Sequence, residues 1–72
     1  MTPIHWEKLS RIFEKAGFKK EREKGSHIIL TKEGIDRPVV IPKYSEVGID
    51  IIKSNMRTAK MSRKEYFRLL NE

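Results

Sequence analysis

The spacing of the apolar residues changes along this chain, and that change does most to limit the fold. Near the N-terminus they recur every three or four positions, which predicts an amphipathic helix. Thr2 followed by Pro3 is a helix-start signal, so we expect this helix to begin there and to end at Gly17. The apolar positions are Trp6, Leu9, Ile12, Phe13 and Ala16.

The middle of the chain has shorter apolar runs, which predict three antiparallel strands. A charged segment, 18–24, and a β-branched run, 28–31, flank a turn at Gly25-Ser26 and should form a hairpin. A second turn at 32–34 leads into the segment 37–42, whose two prolines fall near the strand ends, where a missing amide is tolerated.

The last third returns to helical spacing. After a loop over 43–48, apolar residues three and four apart between Ile49 and Ala59 predict a second core helix. Ser62, followed by Glu65, fits a capping box in which hydroxyl and carboxylate each satisfy a backbone amide, so a short third helix should follow. The order predicts one α+β domain over residues 1–72, α-β-β-β-α with a short C-terminal helix and a three-stranded antiparallel sheet.

Two helices can cover one face of such a sheet and leave the other open as a candidate binding surface. Alternation along the middle strand puts His27 and Ile29 on one side and Ile28 on the other. Both sides carry an isoleucine, so the pattern does not decide which of them faces the helices.

Composition narrows the possible functions. A chain of 72 residues has a small core, and the absence of cysteine excludes disulfides, thiolate zinc sites and a cysteine nucleophile. No apolar run is long enough to cross a membrane and no secretory signal is visible, so we expect a cytoplasmic protein. The net charge of +6 favours nucleic acid or an acidic protein as partner, although a solvated basic surface explains it too.

The tripeptide Gly25-Ser26-His27 carries the main functional signal. It places an imidazole at the root of a strand, after a small-residue turn and beside several cations, which suits a proton-transfer group facing a phosphodiester. This pattern points toward RNA cleavage, although a lone histidine on a strand is more often a satisfied or solvent-facing residue than a catalytic one. No histidine or carboxylate pair has metal-ligand spacing, so no metal or cofactor is expected. The candidate RNA-phosphate contacts are Lys20, Arg22, Lys24, Gly25 and Ser26.

Several features together resemble the HicA toxin family over nearly the whole chain. They are a first helix with Trp and Leu, then Gly17-Phe18, Gly25-Ser26-His27, a strand ending in Ile41-Pro42, and the segment from Ala59 to Ser62 leading into Glu65-Tyr66-Phe67. The resemblance implies a fold like the double-stranded-RNA-binding domain. It also implies a metal-independent ribonuclease that cleaves messenger RNA once released from a HicB-type antitoxin, with His27 catalytic.

The chain departs from the family pattern at three places. Tyr44 stands where members commonly have a histidine, and Gly48-Ile49-Asp50 stands where many have Gly-Thr-Leu. Lys60 replaces the usual glycine between the last two helices, so it must adopt a left-handed conformation or move the helix end by one residue.

Two other functional classes remain open at this level. One is a non-catalytic RNA-binding domain of the same architecture, and the other is a protein-interaction module whose sheet edge accepts a partner strand. Among the aromatic residues, Trp6, Phe13 and Phe18 are expected in the core, and Tyr44 is expected to be exposed. Whether His5 lies close enough to His27 to share acid and base roles is not decided by the sequence.

Overall fold

The element order agrees with the prediction. The structure, a computed structural model, describes all residues from 1 to 72. Its three strands form one antiparallel sheet in the order β1-β2-β3, which confirms an α+β domain with an open three-stranded sheet. None of its helices has the length and apolar character needed to span a membrane. The elements are α1 (Trp6–Lys15), β1 (Lys19–Lys24), β2 (His27–Thr31), β3 (Val39–Pro42), α2 (Ile49–Ala59) and α3 (Arg63–Leu70).

The expected start of the first helix at Thr2 and Pro3 is wrong. Ile4 forms an extended bridge with Val47, in which each backbone amide donates to the other residue's carbonyl, at 3.2 and 2.7 Å. The helix begins only at Trp6, after this bridge has fixed the N-terminal segment in an extended conformation. A contact with a residue far along the chain thus overrides a local start signal.

The core lies between the sheet and the helices, and it settles which face of the sheet is open. Fifteen buried hydrophobic residues form one cluster, to which β2 contributes Ile28 and Leu30. Ile29 is 9% exposed and lies outside that cluster. His27 and Ile29 therefore belong to the uncovered face. Phe13 and Phe18 are core residues as expected, whereas Trp6 is only partly buried.

The helix ends follow the sequence signals in part. Lys60 adopts the left-handed conformation, with φ 55° and ψ 39°, and so the first of the two alternatives for this position is correct. The Ser62 hydroxyl accepts a hydrogen bond from the Glu65 amide at 3.0 Å, which is the hydroxyl half of the expected capping box. The carboxylate half is not formed, because the Glu65 side chain lies instead 3.9 Å from Arg68.

Candidate functional site

The hairpin between β1 and β2 presents His27 at the first position of its strand. Lys24 pairs with His27 across a two-residue loop of Gly25 and Ser26. Gly25 has a φ of 59°, and Ser26 is not among the residues with positive φ. A positive φ at the first loop position alone is the pattern of a type II′ turn, which favours glycine there and matches the twist of paired strands. The motif is therefore a tight turn that fixes the backbone of His27 at the start of β2.

Two rows of paired residues build the open face around this turn. Lys24, His27 and Pro42 form the first row, because residues directly opposite each other on neighbouring strands share a face. Arg22, Ile29 and Val40 form the second row. His27 is exposed, and neither Arg22 nor Lys24 takes part in an ion pair. An imidazole and two unpaired cations thus share this surface.

A shallow cleft of 460 Å³ lies on this face, and we call it the His27 cleft. Its apolar part comes from Ile29 and from Val40, which is 40% exposed. Sequence reasoning did not identify Val40 as a site residue, although alternation along β3, with Val39 fully buried, gave the signal. The lining combines Lys24, Gly25, Ser26 and His27 with these two apolar side chains.

The turn is tied to the start of α1 through the segment that follows β3. The Lys43 amide donates to the Ser26 carbonyl at 2.8 Å, and the Trp6 amide donates to the Tyr44 carbonyl at 3.1 Å. Tyr44 itself is 52% exposed, which confirms the expectation for this side chain. These bonds give the turn a fixed support on its β3 side.

His5, the other histidine, caps a helix. Its Nδ1 atom accepts a hydrogen bond from the Glu7 amide at 3.1 Å and satisfies one free amide of α1. It does not line the His27 cleft, which therefore holds a single imidazole. No three histidine, cysteine, aspartate or glutamate side chains lie together in a group that could hold a metal ion.

The third predicted cation, Lys20, lies on the other side of β1. It pairs with Leu30, a core residue on the helix-covered side, and its ammonium contacts the Glu23 carboxylate at 2.5 Å. The Glu23 carboxylate also accepts a hydrogen bond from the Lys43 ammonium, at 2.6 Å. Hydrogen bonds from Lys20 and then from Lys43 lower the pKa of Glu23 from 4.5 to about 2. Lys20 is thus engaged within the protein, whereas Arg22 and Lys24 are not.

The lowered pKa of Glu23 predicts a defined acid sensitivity. Because its folded pKa is below its unfolded value, the ion pairs stabilise the fold above pH 4.5, and this contribution disappears as the pH falls towards about 2. Glu23→Gln should therefore melt below the parent at neutral pH and approach it as the pH falls through this range. The effect should be small and should shrink in high salt, since the carboxylate is exposed.

Thermal melts of both proteins across this pH range, followed by circular dichroism, make the comparison. Glu21→Gln on the same strand is the matched control, because its carboxylate makes no ion pair. A constant difference between parent and Glu23→Gln at all pH values would contradict this account of the network.

These features define a small basic α+β protein that presents one exposed imidazole, flanked by two unpaired cations, on an uncovered sheet face. A family model described as the HicA toxin of bacterial toxin-antitoxin systems matches residues 6–61, from the start of α1 to just beyond α2. The match covers more than half of the chain, and the protein belongs to the HicA toxin family. No curated protein matched the chain.

Proposed function

We propose that this toxin is a metal-independent endoribonuclease that cleaves messenger RNA in the cytoplasm, with His27 as the catalytic residue. The observation that carries the proposal is the position of the His27 imidazole. It is exposed at the root of β2, in a cleft that also offers cationic Lys24 and an apolar surface. A ribose-phosphate chain needs this combination, since its phosphates attract cations and its bases pack on apolar groups.

The chemistry follows from the 2′-hydroxyl of RNA. Its oxygen attacks the adjacent phosphorus, the bond from phosphorus to the 5′-oxygen breaks, and the products carry a 2′,3′-cyclic phosphate and a 5′-hydroxyl. The 2′-hydroxyl must lose a proton and the departing 5′-oxygen must gain one. Histidine suits either task because it exchanges protons near neutral pH. We assign proton transfer to His27.

The remaining residues of the cleft position the phosphate. Lys24 lies in the same row as His27, and Arg22 lies in the neighbouring row. Their positive charges can therefore offset the negative charge that builds up on the phosphate. Gly25 and Ser26 form the tight turn, where a backbone amide and a hydroxyl are available to phosphate oxygens. Lys20 stays a predicted phosphate contact that would first have to leave Glu23.

Only one imidazole serves this cleft, which favours a slow enzyme. General acid catalysis and general base catalysis each contribute about 10²- to 10⁴-fold. A single histidine begins the reaction either protonated or neutral, so it can act at first only as the acid or only as the base. The other proton then moves to or from water. A low turnover is compatible with a toxin, because each cut inactivates a whole message.

We also propose that a HicB-type antitoxin covers this same face. Val40 and Tyr44 are the large hydrophobic side chains that the chain leaves exposed, and both lie on or beside β3. Exposed apolar groups next to a charged site are typical of a surface that a partner protein covers. Such a partner would inhibit cleavage by competing with RNA for the His27 cleft.

Incubation of the pure protein with single-stranded RNA in excess EDTA tests the proposed activity. We expect cleavage to continue and to leave a cyclic phosphate, because the nucleophile comes from the substrate and no metal takes part. An RNA with a 2′-deoxyribose at the cut position should resist cleavage there. Binding without any cut product would contradict the proposal and would favour the non-catalytic RNA-binding module.

A further inference from the structure

A second basic cleft, of 420 Å³, lies away from the His27 cleft, between the β2–β3 loop and the C-terminal half of α2. We call it the α2 cleft. Arg37 enters it from the loop, and Arg57 and Lys60 enter it from the end of the helix. The hydroxyl residues Ser54 and Thr58 also line it.

The α2 cleft has an excess of unpaired positive charge. Its three cations face one carboxylate, Asp36, and none of these four groups takes part in an ion pair or a side-chain hydrogen bond within the protein. Like charges gathered in a concave surface focus a field that attracts anions. The negative end of the α2 dipole explains a cation such as Arg57, but it does not explain the approach of Arg37 from the loop.

Lys60 supplies an independent observation at the same place. It is the only residue other than glycine with a positive φ, 55°. The residue that ends a helix in this conformation is usually glycine, because a Cβ atom there is strained. Strained residues of this kind concentrate at functional sites. Here the residue in the strained conformation is a lysine, and it lines the α2 cleft.

We propose that the α2 cleft binds the phosphate backbone of the RNA substrate, away from the bond that is cut; this rests on the proposed function. Guanidinium groups bind phosphate oxygens through paired hydrogen bonds, and hydroxyls donate to them too. Only Ile35 among the lining residues is hydrophobic. The centre of a protein-protein interface is more apolar than this, so the chemistry favours RNA over an acidic protein.

The position of the α2 cleft specifies the kind of RNA. β2 runs from His27 to Thr31, a length of about 13 Å, and the β2–β3 loop lies beyond its far end. The His27 cleft lies on the uncovered face of the sheet and α2 packs on the covered face, so one strand that fills both clefts must run along the sheet and pass around the end that carries the β2–β3 loop. The enzyme should prefer long single strands over short fragments, because only long strands reach the second cleft.

Lys60→Gly separates a binding role from a role in folding. Glycine relieves the backbone strain, so the melting temperature should rise by a few degrees. The affinity for RNA should nevertheless fall by at least about 5-fold, because a phosphate contact is lost. Binding is measured by fluorescence anisotropy with a single strand of about 16 nucleotides, in a His27→Ala background that prevents cleavage. The slope of log affinity against log salt should become shallower by about 0.7.

Three further variants complete the experiment. Arg37→Gln should weaken binding as Lys60→Gly does, and Asp36→Asn should strengthen it. Arg11→Gln on the exposed side of α1 removes the same charge outside the α2 cleft and should change the affinity much less. In proteins that retain His27, Lys60→Gly and Arg37→Gln should lose more cleavage activity on the long strand than on a dinucleotide.

The outcomes distinguish this proposal from the proposed function. If the parent cleaves RNA and Lys60→Gly binds the long strand as tightly as the parent, the α2 cleft is not an RNA site, although the nuclease assignment stands. An equal loss of RNA affinity with Arg11→Gln would show that the effect comes from net charge alone, and this result would also overturn the proposal. Loss of antitoxin binding alone would show that the α2 cleft serves a protein. If the parent neither binds nor cleaves RNA, both proposals are wrong.

Discussion

Replacing His27 with alanine is expected to lower the rate of RNA cleavage by about 10²- to 10⁴-fold, the usual contribution of one positioned proton-transfer group. The change should leave the fold intact, because the imidazole is exposed and makes no hydrogen bond within the protein. Surface substitutions of this kind usually alter the free energy of unfolding by less than about 0.5 kcal/mol. Loss of activity would then reflect chemistry and not unfolding.

Cleavage of a labelled RNA, with thermal melts of the same preparations, measures both effects. His27→Gln is a second variant, since its amide keeps much of the size and polarity but transfers no proton. His5→Asn is the matched histidine control, because asparagine also caps helices and His5 lies outside the His27 cleft. Both His27 variants should cleave about 10²- to 10⁴-fold more slowly than the parent, and His5→Asn should cleave at the parent's rate.

The same variants can be followed in cells with an inducible growth assay. The parent should arrest growth, and His27→Ala should not, while it still binds the antitoxin. Cleavage by His27→Ala at the parent's rate would show that another group moves the proton. Loss of cleavage with His5→Asn at an unchanged melting temperature would instead place His5 in the reaction.

The order of the elements could be predicted because apolar residues on one buried face recur about every 3.6 residues in a helix and every second residue in a strand. Ile52 and Met56 of α2, for example, are buried at helical spacing, as expected. The start of α1 could not be predicted in this way. It depends on the bridge between Ile4 and Val47, which no local signal records.

The candidate site, too, has one part that a local motif predicts and another part that depends on how the strands pair. Gly25 and His27 form a local motif, so the turn and the imidazole could be found from the sequence. The cationic neighbours depend on register. A spacing of two would put Lys20 on the face of Arg22 in a regular strand, but a bulge between these two residues moves Lys20 to the other side. Bulges of this kind leave little trace in a charged strand.

The α2 cleft is the part of the molecule that the sequence predicts least. Arg37 and Arg57 belong to different elements, and only the packing of α2 against β3 brings the loop and the helix together. The sequence did identify Lys60 as unusual, because glycine is the residue expected at such a helix end. A local departure was therefore visible before its surroundings were known.

Phe13→Ala is expected to unfold most of the protein at room temperature. The Phe13 side chain is fully buried, and its ring packs edge to face against Phe18, with centroids 5.8 Å apart. Truncation of a buried phenylalanine costs about 3–5 kcal/mol. A single core in a chain of this size rarely supplies more than about 3–5 kcal/mol of net stability. The loss is thus comparable with the whole free energy of unfolding, and no disulfide is present to limit it.

Urea denaturation followed by circular dichroism measures this loss, and Phe67→Ala is the matched control. Phe67 lies only partly buried on α3, where its ring contacts Tyr66 and Arg63. The same truncation should there cost less than half as much, because less apolar surface returns to water and little cavity is left. Equal losses for the two variants would show that Phe67 contributes to the core as much as Phe13 does. A Phe13→Ala protein with the parent's midpoint would contradict the central position of that ring.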